Sequence, residues 1–198
     1  MIKIKQICND EPYLVFKDLY EKTLKTSQKN IEAVCISSFS ESNNEVNSRY
    51  VNLKFIIDRD FIFFSNYESP KSKEFKEHSQ ISALVFWPNT NVQIRMKAVI
   101  KRTSKKFNEE YFKKRDKEKN ALAISSRQSC ITDSYDDVKE KFNRALRESN
   151  LQECPDYWGG YSLRPYYFEF WEGHKSRLNK RVIYQAKGSK WISNVLQP

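Results

Sequence analysis

The chain has 198 residues, enough for one large domain or two small ones, and 35 Lys and Arg against 25 Asp and Glu give it a formal net charge of +10. Aromatic residues make up 14% of the chain while Gly (4) and Pro (6) are scarce, which is typical of a globular protein rather than a disordered one. No apolar run reaches about 18 residues, so the sequence predicts no membrane span.

The first part of the chain is predicted to be a helix followed by strands. The run Asn9-Asp10-Glu11-Pro12 offers a capping side chain and a proline for the first turn, and apolar residues then recur at helical spacing to about Thr26. We therefore expect an N-terminal helix within residues 1–27. The following segments are predicted to be strands at 31–39, 49–58 and 61–65, with a hairpin loop at 40–47 and a turn at 58–60.

Two cations of the predicted strand 49–58 fall on opposite sides of it. Arg49 shares the parity of Val51 and Leu53, whereas Lys54 has the other parity. An ideal strand does not direct both cations to one ligand, unless they reach around an edge or a bulge interrupts the strand.

A short helix is predicted from Ser69 to about His78, because serine is a common helix cap and Pro70 suits the first turn. Lys71 then lies in the first turn, where a positive charge is unfavourable against the helix dipole. A bound anion would reverse that sign, since helix N-termini and lysines both attract phosphate. Two interpretations stay open, a phosphate-binding lysine and a misplaced surface lysine.

The middle of the chain is predicted to contain two strands and three helices. Ser104 is expected to cap a helix that runs through Arg115, and Tyr111 lies one turn before Arg115 on the same face. This pair is either a phosphate clamp or surface decoration. The other predicted elements are strands at 81–87 and 92–101 around a turn at 88–91, a short helix at 120–126, and a helix from 133 or 134 to about 147.

The C-terminal stretch is predicted to contain an aromatic strand and a basic turn. Glu169 and Trp171 alternate with apolar residues, so one face should be buried while the other offers a flat ring and an acceptor. Arg177 and Arg181 in the following turn suit a planar anionic ligand, because guanidinium groups bind phosphate in a fork and stack on rings. The alternative is a hairpin with a solvated basic turn. The predicted strands are 158–164, 166–172, 181–186 and 191–195.

These elements predict a single domain over residues 1–198, mainly β with peripheral helices. Seven or more strands, often adjacent in sequence, favour an antiparallel barrel with helices packed outside, completed by strands from 158–198.

Charge and cysteine usage limit the classes of partner. The positive balance suits an anionic partner, but no helix-turn-helix, zinc-finger or RNA-binding signature is present, so we expect no nucleic acid. Four widely spaced cysteines and two histidines argue against a zinc site and for a cytoplasmic protein with reduced thiols.

Nearly the whole chain, from about Pro12 to Pro198, resembles the pyridoxine (pyridoxamine) 5'-phosphate oxidases, FMN enzymes with a split β-barrel fold. The order and spacing of the matching stretches are specific. These stretches are Arg49-Tyr50-Val51-Asn52-Leu53-Lys54, Phe64-Ser65-Asn66, Ser69-Pro70-Lys71, Gln93-Ile94-Arg95, Tyr111-Phe112, Arg127-Gln128-Ser129, Tyr157-Trp158-Gly159-Gly160-Tyr161, Glu169-Phe170-Trp171, Arg177-Leu178 and Arg181.

The resemblance implies an FMN site shared between two subunits of a homodimer. It implies that Arg49 and Lys71 hold the FMN phosphate, and that Gln128 and Ser129 reach the flavin from the second subunit. The other residues that it implies for the cofactor are Tyr50, Val51, Asn52, Leu53, Lys54, Phe64, Ser65, Gln93, Trp171 and Arg181.

The resemblance also implies a small phosphorylated aromatic substrate. Lys54, Tyr111, Arg115 and Lys119 would contact the substrate phosphate, while Arg177, as the catalytic residue, and position 179 would flank the ring. The sequence departs from the family at Asn179 (usually His), Lys180 (Asp), Pro70 (Arg) and Lys119 (Ser), and it is expected to lack the N-terminal extension that closes over the substrate.

The resemblance therefore predicts an FMN-dependent oxidase that forms pyridoxal 5'-phosphate with oxygen as electron acceptor. Asn179 and the expected absence of the extension favour an alternative, a related oxidase acting on another small aromatic, as in phenazine biosynthesis. A non-catalytic flavin-binding protein and a nucleic-acid binder are the remaining alternatives.

Overall fold

The computed structural model describes all residues, Met1–Pro198. The strands are β1 (Lys3–Ile7), β2 (Ala33–Ser40), β3 (Glu45–Asn52), β4 (Phe55–Asp58), β5 (Asp60–Asn66), β6 (Gln80–Trp87), β7 (Val92–Arg102), β8 (Trp158–Glu172), β9 (Lys180–Lys187) and β10 (Lys190–Leu196). The helices are α1 (Glu11–Leu24), α2 (Pro70–Glu77), α3 (Lys105–Lys113), α4 (Lys117–Ser125) and α5 (Tyr135–Glu148), and a 3-10 turn covers Pro88–Thr90.

All ten strands belong to one sheet, in the order β1-β4-β5-β8-β7-β6-β2-β3, with β9 and β10 added beside β8. Only β1 and β4 pair in parallel, and β3 returns against β5, so the sheet curls on itself. This arrangement confirms the predicted mainly antiparallel barrel with helices outside. None of the helices is long and apolar enough to cross a membrane.

The barrel core continues into the aromatic face of α1. Tyr13 and Phe16 are fully buried, and their ring centroids lie 5.9 and 4.9 Å from that of Phe61. Phe168 on β8 closes the same cluster at 5.1 Å from Tyr13. Burying a large apolar side chain stabilises a fold by about 1.5–3 kcal/mol, so this contact fixes α1 on the barrel.

The long strand β8 connects the parts of the sheet. The sequence predicted two strands that break at Pro165, but a single strand runs through, pairing with β5 in its first half and β9 in its second. Its register against β7 shifts between Lys97 and Ala98, opposite Tyr167 and Pro165, so Tyr166 is the extra residue of a bulge. A proline is tolerated at a bulge because no ladder hydrogen bond is lost there.

The predicted strand 49–58 is two strands. β3 ends at Asn52 and β4 starts at Phe55, and the backbone between them is held by bonds from Leu53 N to Glu32 O (2.9 Å) and from Lys54 N to Ile62 O (2.7 Å). Because of this interruption, strand alternation does not relate the direction of Arg49 to that of Lys54.

The N-terminal prediction was wrong in two details. A strand, β1, precedes the helix, and Asp10 at the N-cap position makes no side-chain cap bond. Its carboxylate instead accepts bonds from Arg59 Nε (2.8 Å) and Trp191 Nε1 (3.1 Å), which tie α1 to the β4–β5 turn and to β10. The predicted cap at Ser104 is confirmed, since its hydroxyl accepts from Phe107 N at 3.3 Å.

Candidate functional site

A buried cation without an acidic partner lies at the start of α2. The Lys71 side chain is almost fully buried, and its Nζ donates only to the hydroxyls of Ser65 and Ser69, each at 3.2 Å. Burial, with the positive charge of Arg49 nearby, lowers the pKa of Lys71 to about 8. We call Arg49, Ser65, Ser69 and Lys71 the Lys71 pocket.

Arg49, in contrast, has its charge neutralised. Its Nη2 lies 2.8 Å from Glu74 Oε2, and its Nη1 donates to Ser38 Oγ, which in turn donates to the same carboxylate oxygen. Glu74 is buried one helical turn after Lys71. Two cations and one carboxylate leave one positive charge in the Lys71 pocket, at a helix N-terminus, which is the electrostatic requirement of an anion site.

Gln128 completes this pocket from its own chain. Its Oε1 accepts from Ser65 Oγ (3.0 Å) and from Asn66 N (3.3 Å). A single chain thus brings Gln128 beside Lys71, while its contact with a flavin of the second subunit stays a prediction. Ser129 lies next to it with φ of 68° and is exposed, lining a neighbouring cavity with Val138.

A second group of predicted residues forms a row across three strands. Gln93 on β7 lies directly opposite Trp171 on β8, which lies directly opposite Arg181 on β9. Directly paired side chains are about 4.5–5.5 Å apart at Cβ and share a face. We call these three residues the outer row. A planar ring and a guanidinium side by side suit a flat anionic ligand.

Glu169 supports the outer row and is not the exposed acceptor that the sequence predicted. It is only 2% exposed. Its Oε1 accepts from Arg181 Nε (3.0 Å) and Nη2 (2.7 Å), and its Oε2 accepts from Arg95 Nη1 (2.9 Å). Both arginines are thereby attached to the second half of β8.

The Lys71 pocket and the outer row lie on opposite faces of the sheet. Arg49 pairs with Ile36, and the register continues through Ala83 to Met96 on β7, so all four side chains share the core face. Gln93 is three residues from Met96 and therefore points to the other face. One flat ligand cannot touch both groups within a single chain.

A third group, which we call the basic cluster, consists of Lys54, Tyr111, Arg115 and Lys119. Burial, together with the positive charges of Lys119 and Arg115, lowers the pKa of Lys54. The Arg115 guanidinium lies 4.8 Å from the Trp158 ring centroid, and its Nη1 donates to Lys119 O at 2.9 Å. The three cations therefore lie close enough to repel one another, which favours a bound anion between them.

Packing fixes the orientation of Tyr111 in this cluster. Its ring stacks on Phe64 at 4.0 Å, and Phe64 stacks on Trp158 at 5.1 Å. Burial raises the pKa of Tyr111 while Arg115 opposes the shift, so the hydroxyl stays a donor at neutral pH. Lys119 is exposed and pairs with Asp116 at 2.5 Å, which offsets part of its charge.

The turn after β8 leaves Arg177 exposed. Arg177 has φ of 61°, a left-handed conformation that is uncommon for a non-glycine residue, and its N–H donates to His174 O at 2.9 Å. Asn179 Oδ1 accepts from His174 N at 3.0 Å. Asn179 thus closes the turn that presents Arg177, whereas the sequence predicted it as a group for the substrate.

The remaining predicted residues are dispersed. Tyr50 is 75% exposed on the face opposite Arg49, and Leu53 is buried in the core. Val51 is partly buried and Asn52 is exposed. These four residues therefore do not converge on one site: the first three in sequence belong to β3, and Leu53 follows it.

Sequence reasoning missed the partners of the arginines. Ser38 and Glu74 hold Arg49, and Arg95 shares Glu169 with Arg181. One signal was available: Glu74 lies three residues after Lys71, which places both on one side of a helix. No comparable local signal links Arg95 to Glu169, because they are 74 residues apart.

Two family profiles match the chain. Residues 20–150 match the profile described as pyridoxamine 5'-phosphate oxidase, and residues 158–198 match the pyridoxine 5'-phosphate oxidase C-terminal dimerisation region. Among curated relatives, the pyridoxine/pyridoxamine 5'-phosphate oxidase 1 of Hydrogenovibrio crunogenus is 36% identical over 177 residues, covering 88% of this chain and 81% of the relative. The Leptospira biflexa pyridoxine/pyridoxamine 5'-phosphate oxidase is 30% identical over 190 residues, covering 95% and 89%.

Two solved structures share the fold. PhzG from Burkholderia lata, determined in complex with tetrahydrophenazine-1-carboxylic acid, superposes with a TM-score of 0.89 at 24% identity, covering 96% of this chain and 93% of that one. A pyridoxamine 5'-phosphate oxidase-related, FMN-binding protein from Nostoc punctiforme has a TM-score of 0.80 at 12% identity, covering 94% and 98%.

Proposed function

Since the chain belongs to the pyridoxine/pyridoxamine 5'-phosphate oxidase family, we propose that it is an FMN-dependent oxidase converting pyridoxine 5'-phosphate and pyridoxamine 5'-phosphate to pyridoxal 5'-phosphate, with oxygen as electron acceptor. The single observation that carries the cofactor assignment is the buried ammonium of Lys71, which donates to no carboxylate. A buried charge without a partner is costly, and a phosphate would remove that cost.

The Lys71 pocket fits the phosphate end of FMN. Lys71 supplies a full charge, Ser65 and Ser69 supply hydroxyls, and the start of α2 supplies a favourable dipole. Pro70 stands where the family usually has arginine, so Lys71 and the neutralised Arg49 would hold the phosphate with one cation fewer.

The outer row fits the ring end of FMN, contributed by a second chain. Because the pocket and the row occupy opposite faces of one sheet, a flavin that contacts both must lie between two subunits. This arrangement supports a homodimer, as does the match of residues 158–198 to a dimerisation region. Gln93 and Arg181 would bond the ring edges while Trp171 would pack beside them.

The basic cluster fits the substrate phosphate. Lys54 and Arg115 offer charge, and Tyr111 offers a hydroxyl held by stacking on Phe64. Arg177 would orient the substrate ring and stabilise negative charge as the exocyclic group loses a proton. Bound FMN supplies the two-electron acceptor, so the protein's own contribution is orientation, charge and exclusion of water.

A second candidate is an FMN-dependent oxidase for another small aromatic molecule. The observation that favours it is the engagement of Asn179 with His174 N, which leaves this side chain with less capacity to bond a pyridine substituent. The two candidates share the cofactor and differ in the substrate.

The experiment that tests the shared site uses a mixed dimer. Lys71→Met damages the pocket and Arg181→Gln damages the outer row, so each homodimer has two damaged sites. A mixed dimer carries both lesions in one site and leaves the other intact, and it should retain about one tight FMN per dimer. If both groups served a site within one chain, the mixed dimer would bind no better than either homodimer.

The substrate is tested with the FMN-loaded parent protein. Peroxide should form when pyridoxine 5'-phosphate or pyridoxamine 5'-phosphate is added in the presence of oxygen. Tight FMN binding without peroxide from either compound would reject the vitamer assignment in favour of another aromatic substrate or a non-catalytic flavin-binding protein.

A further inference from the structure

The most buried carboxylate on the outer face of the sheet is that of Glu169. It lies three residues before the end of β8, directly opposite Arg95 on β7 and Ile183 on β9. Arg181 donates two bonds to it and Arg95 donates one, while Tyr167 Oη lies 3.3 Å from its Oε2. A carboxylate at 2% exposure is stable only because these donors replace water.

The geometry fixes both arginines relative to the outer row. Arg181 uses Nε and Nη2 on Glu169 and Nη1 on Gln197 O (3.0 Å), so its guanidinium plane cannot rotate freely beside Trp171. Arg95 lies two residues along β7 from Gln93 and therefore on the same face. Two arginines and one carboxylate leave a single positive charge at this position.

We infer that Glu169 is a positioning residue for the flavin ring, which holds Arg181 against Trp171 and keeps the charge beside the ring at one rather than two. The inference depends on the proposed function, since it assumes that FMN occupies the outer row. Its consequence is electrostatic: a ring next to one net positive charge is reduced less easily than a ring next to two.

The test compares Glu169→Gln with Glu172→Gln, each in the full chain reconstituted with FMN. Glu172 is on the same strand but pairs with exposed Lys180 at 3.0 Å, so its change is matched in chemistry and outside the row. Three quantities are measured: the FMN dissociation constant, the flavin reduction potential and the melting temperature of the FMN-free protein.

Glu169→Gln should weaken FMN binding at least tenfold, because an uncharged amide oxygen replaces the carboxylate that holds Arg181 and the amide NH2 group cannot accept from Arg95. It should also raise the reduction potential, and a tenfold gain in preference for reduced FMN corresponds to about 30 mV for a two-electron couple. Glu172→Gln should change the affinity by less than about twofold.

The double variant Glu169→Gln with Arg95→Gln restores the single net positive charge that the parent has beside the outer row. It keeps the inference testable if Glu169→Gln alone fails to fold. Its potential should return towards that of the parent while its FMN affinity stays reduced. Parent-like affinity and potential in both variants, with only a lower melting temperature, would show that Glu169 is a structural ion-pair residue and overturn the inference. A parent protein that binds no FMN would overturn the proposed function, and this inference with it.

Discussion

Replacing Lys71 by methionine should stabilise the FMN-free protein near neutral pH. Holding this ammonium in its pocket lowers its pKa from 10.5 to about 8, and this difference corresponds to an unfavourable contribution of about 3 kcal/mol. Methionine has a similar volume and no charge to desolvate. Ser65 and Ser69 keep their own donor bonds, to Gln128 Oε1 (3.0 Å) and Asn66 O (2.8 Å), so the change leaves no hydroxyl proton without a partner.

The lowered pKa of Lys71 also predicts how the free energy of unfolding of the parent protein changes with pH. The unfolded chain keeps a proton on Lys71 up to about pH 10.5, whereas the folded chain releases it near pH 8. The unfolded state binds more protons between these values, so the free energy of unfolding of the parent should rise with pH in that window. The destabilisation is fully present below pH 8 and disappears as the pH passes 10.5, and the methionine variant should lack this rise.

FMN binding should change in the opposite direction. Loss of a charge-assisted bond to phosphate costs about 1.5–3 kcal/mol, so the dissociation constant should rise roughly ten- to a hundredfold. Urea unfolding from pH 7 to 10.5 and flavin fluorescence titration measure the two effects. Lys73→Met, which changes an exposed lysine two residues on, is the control. A Lys71→Met protein with parental affinity and a parental pH slope would refute the argument.

The other predictions concern the turn and the N-terminal helix. Arg177→Lys should lower kcat/KM about tenfold or more in peroxide assays, since lysine keeps the charge but loses the planar fork; an unchanged value would place the substrate ring elsewhere. Asn179→His should also lower kcat/KM, because it removes the acceptor for His174 N. The family's usual histidine at this position would instead predict an increase in kcat/KM. Steady-state kinetics of the variant decide between the decrease and the increase. Asp10→Asn should reduce the free energy of unfolding by about 1 kcal/mol at pH 7. Because Arg59 lowers the pKa of Asp10, this loss should vanish at acid pH, where Asp10 is protonated, and a persistent difference would contradict the ion-pair explanation.

The strands that sequence reasoning located best are those with a clean alternation. The predicted strands 81–87 and 92–101 correspond to Gln80–Trp87 and Val92–Arg102, because every second residue there faces the core. The same rule failed at Pro165, where the strand continues through a bulge. A bulge depends on the partner strand, and the local sequence does not show which strand that partner is.

Polar partners were predicted less well than apolar periodicity. Asp10 has the residue type of a helix cap, but its carboxylate bonds Arg59 and Trp191, which lie 49 and 181 residues away. Glu169 alternates correctly with the core residues and is nevertheless buried, since two arginines satisfy it. Tertiary contacts therefore override local preference where a charged side chain finds distant partners.

The order and spacing of the motifs indicated which residues belong to the candidate site but not how they are grouped. The resemblance implies that Gln128 reaches the flavin from the second subunit, and the fold in addition places it beside Lys71 in the same chain. The face of Gln93 relative to Arg49 follows only from a register that runs through four strands. Pairings of this kind join segments that are far apart in sequence, so the periodicity within any one segment cannot predict them.

The places where cations outnumber their acidic partners say more about anion binding than the total net charge of the chain does. Exposed lysines such as Lys22 and Lys141 pair with acids one helical turn away, at 2.7 Å each, and such pairs contribute little to binding. At the Lys71 pocket and beside the outer row, by contrast, two cations lie near one buried carboxylate in a partly dehydrated site, where the single excess charge acts strongly. The two sites lie on opposite faces of the sheet, and our proposal is that they bind the two ends of one anionic, planar molecule when a pair of chains brings them together.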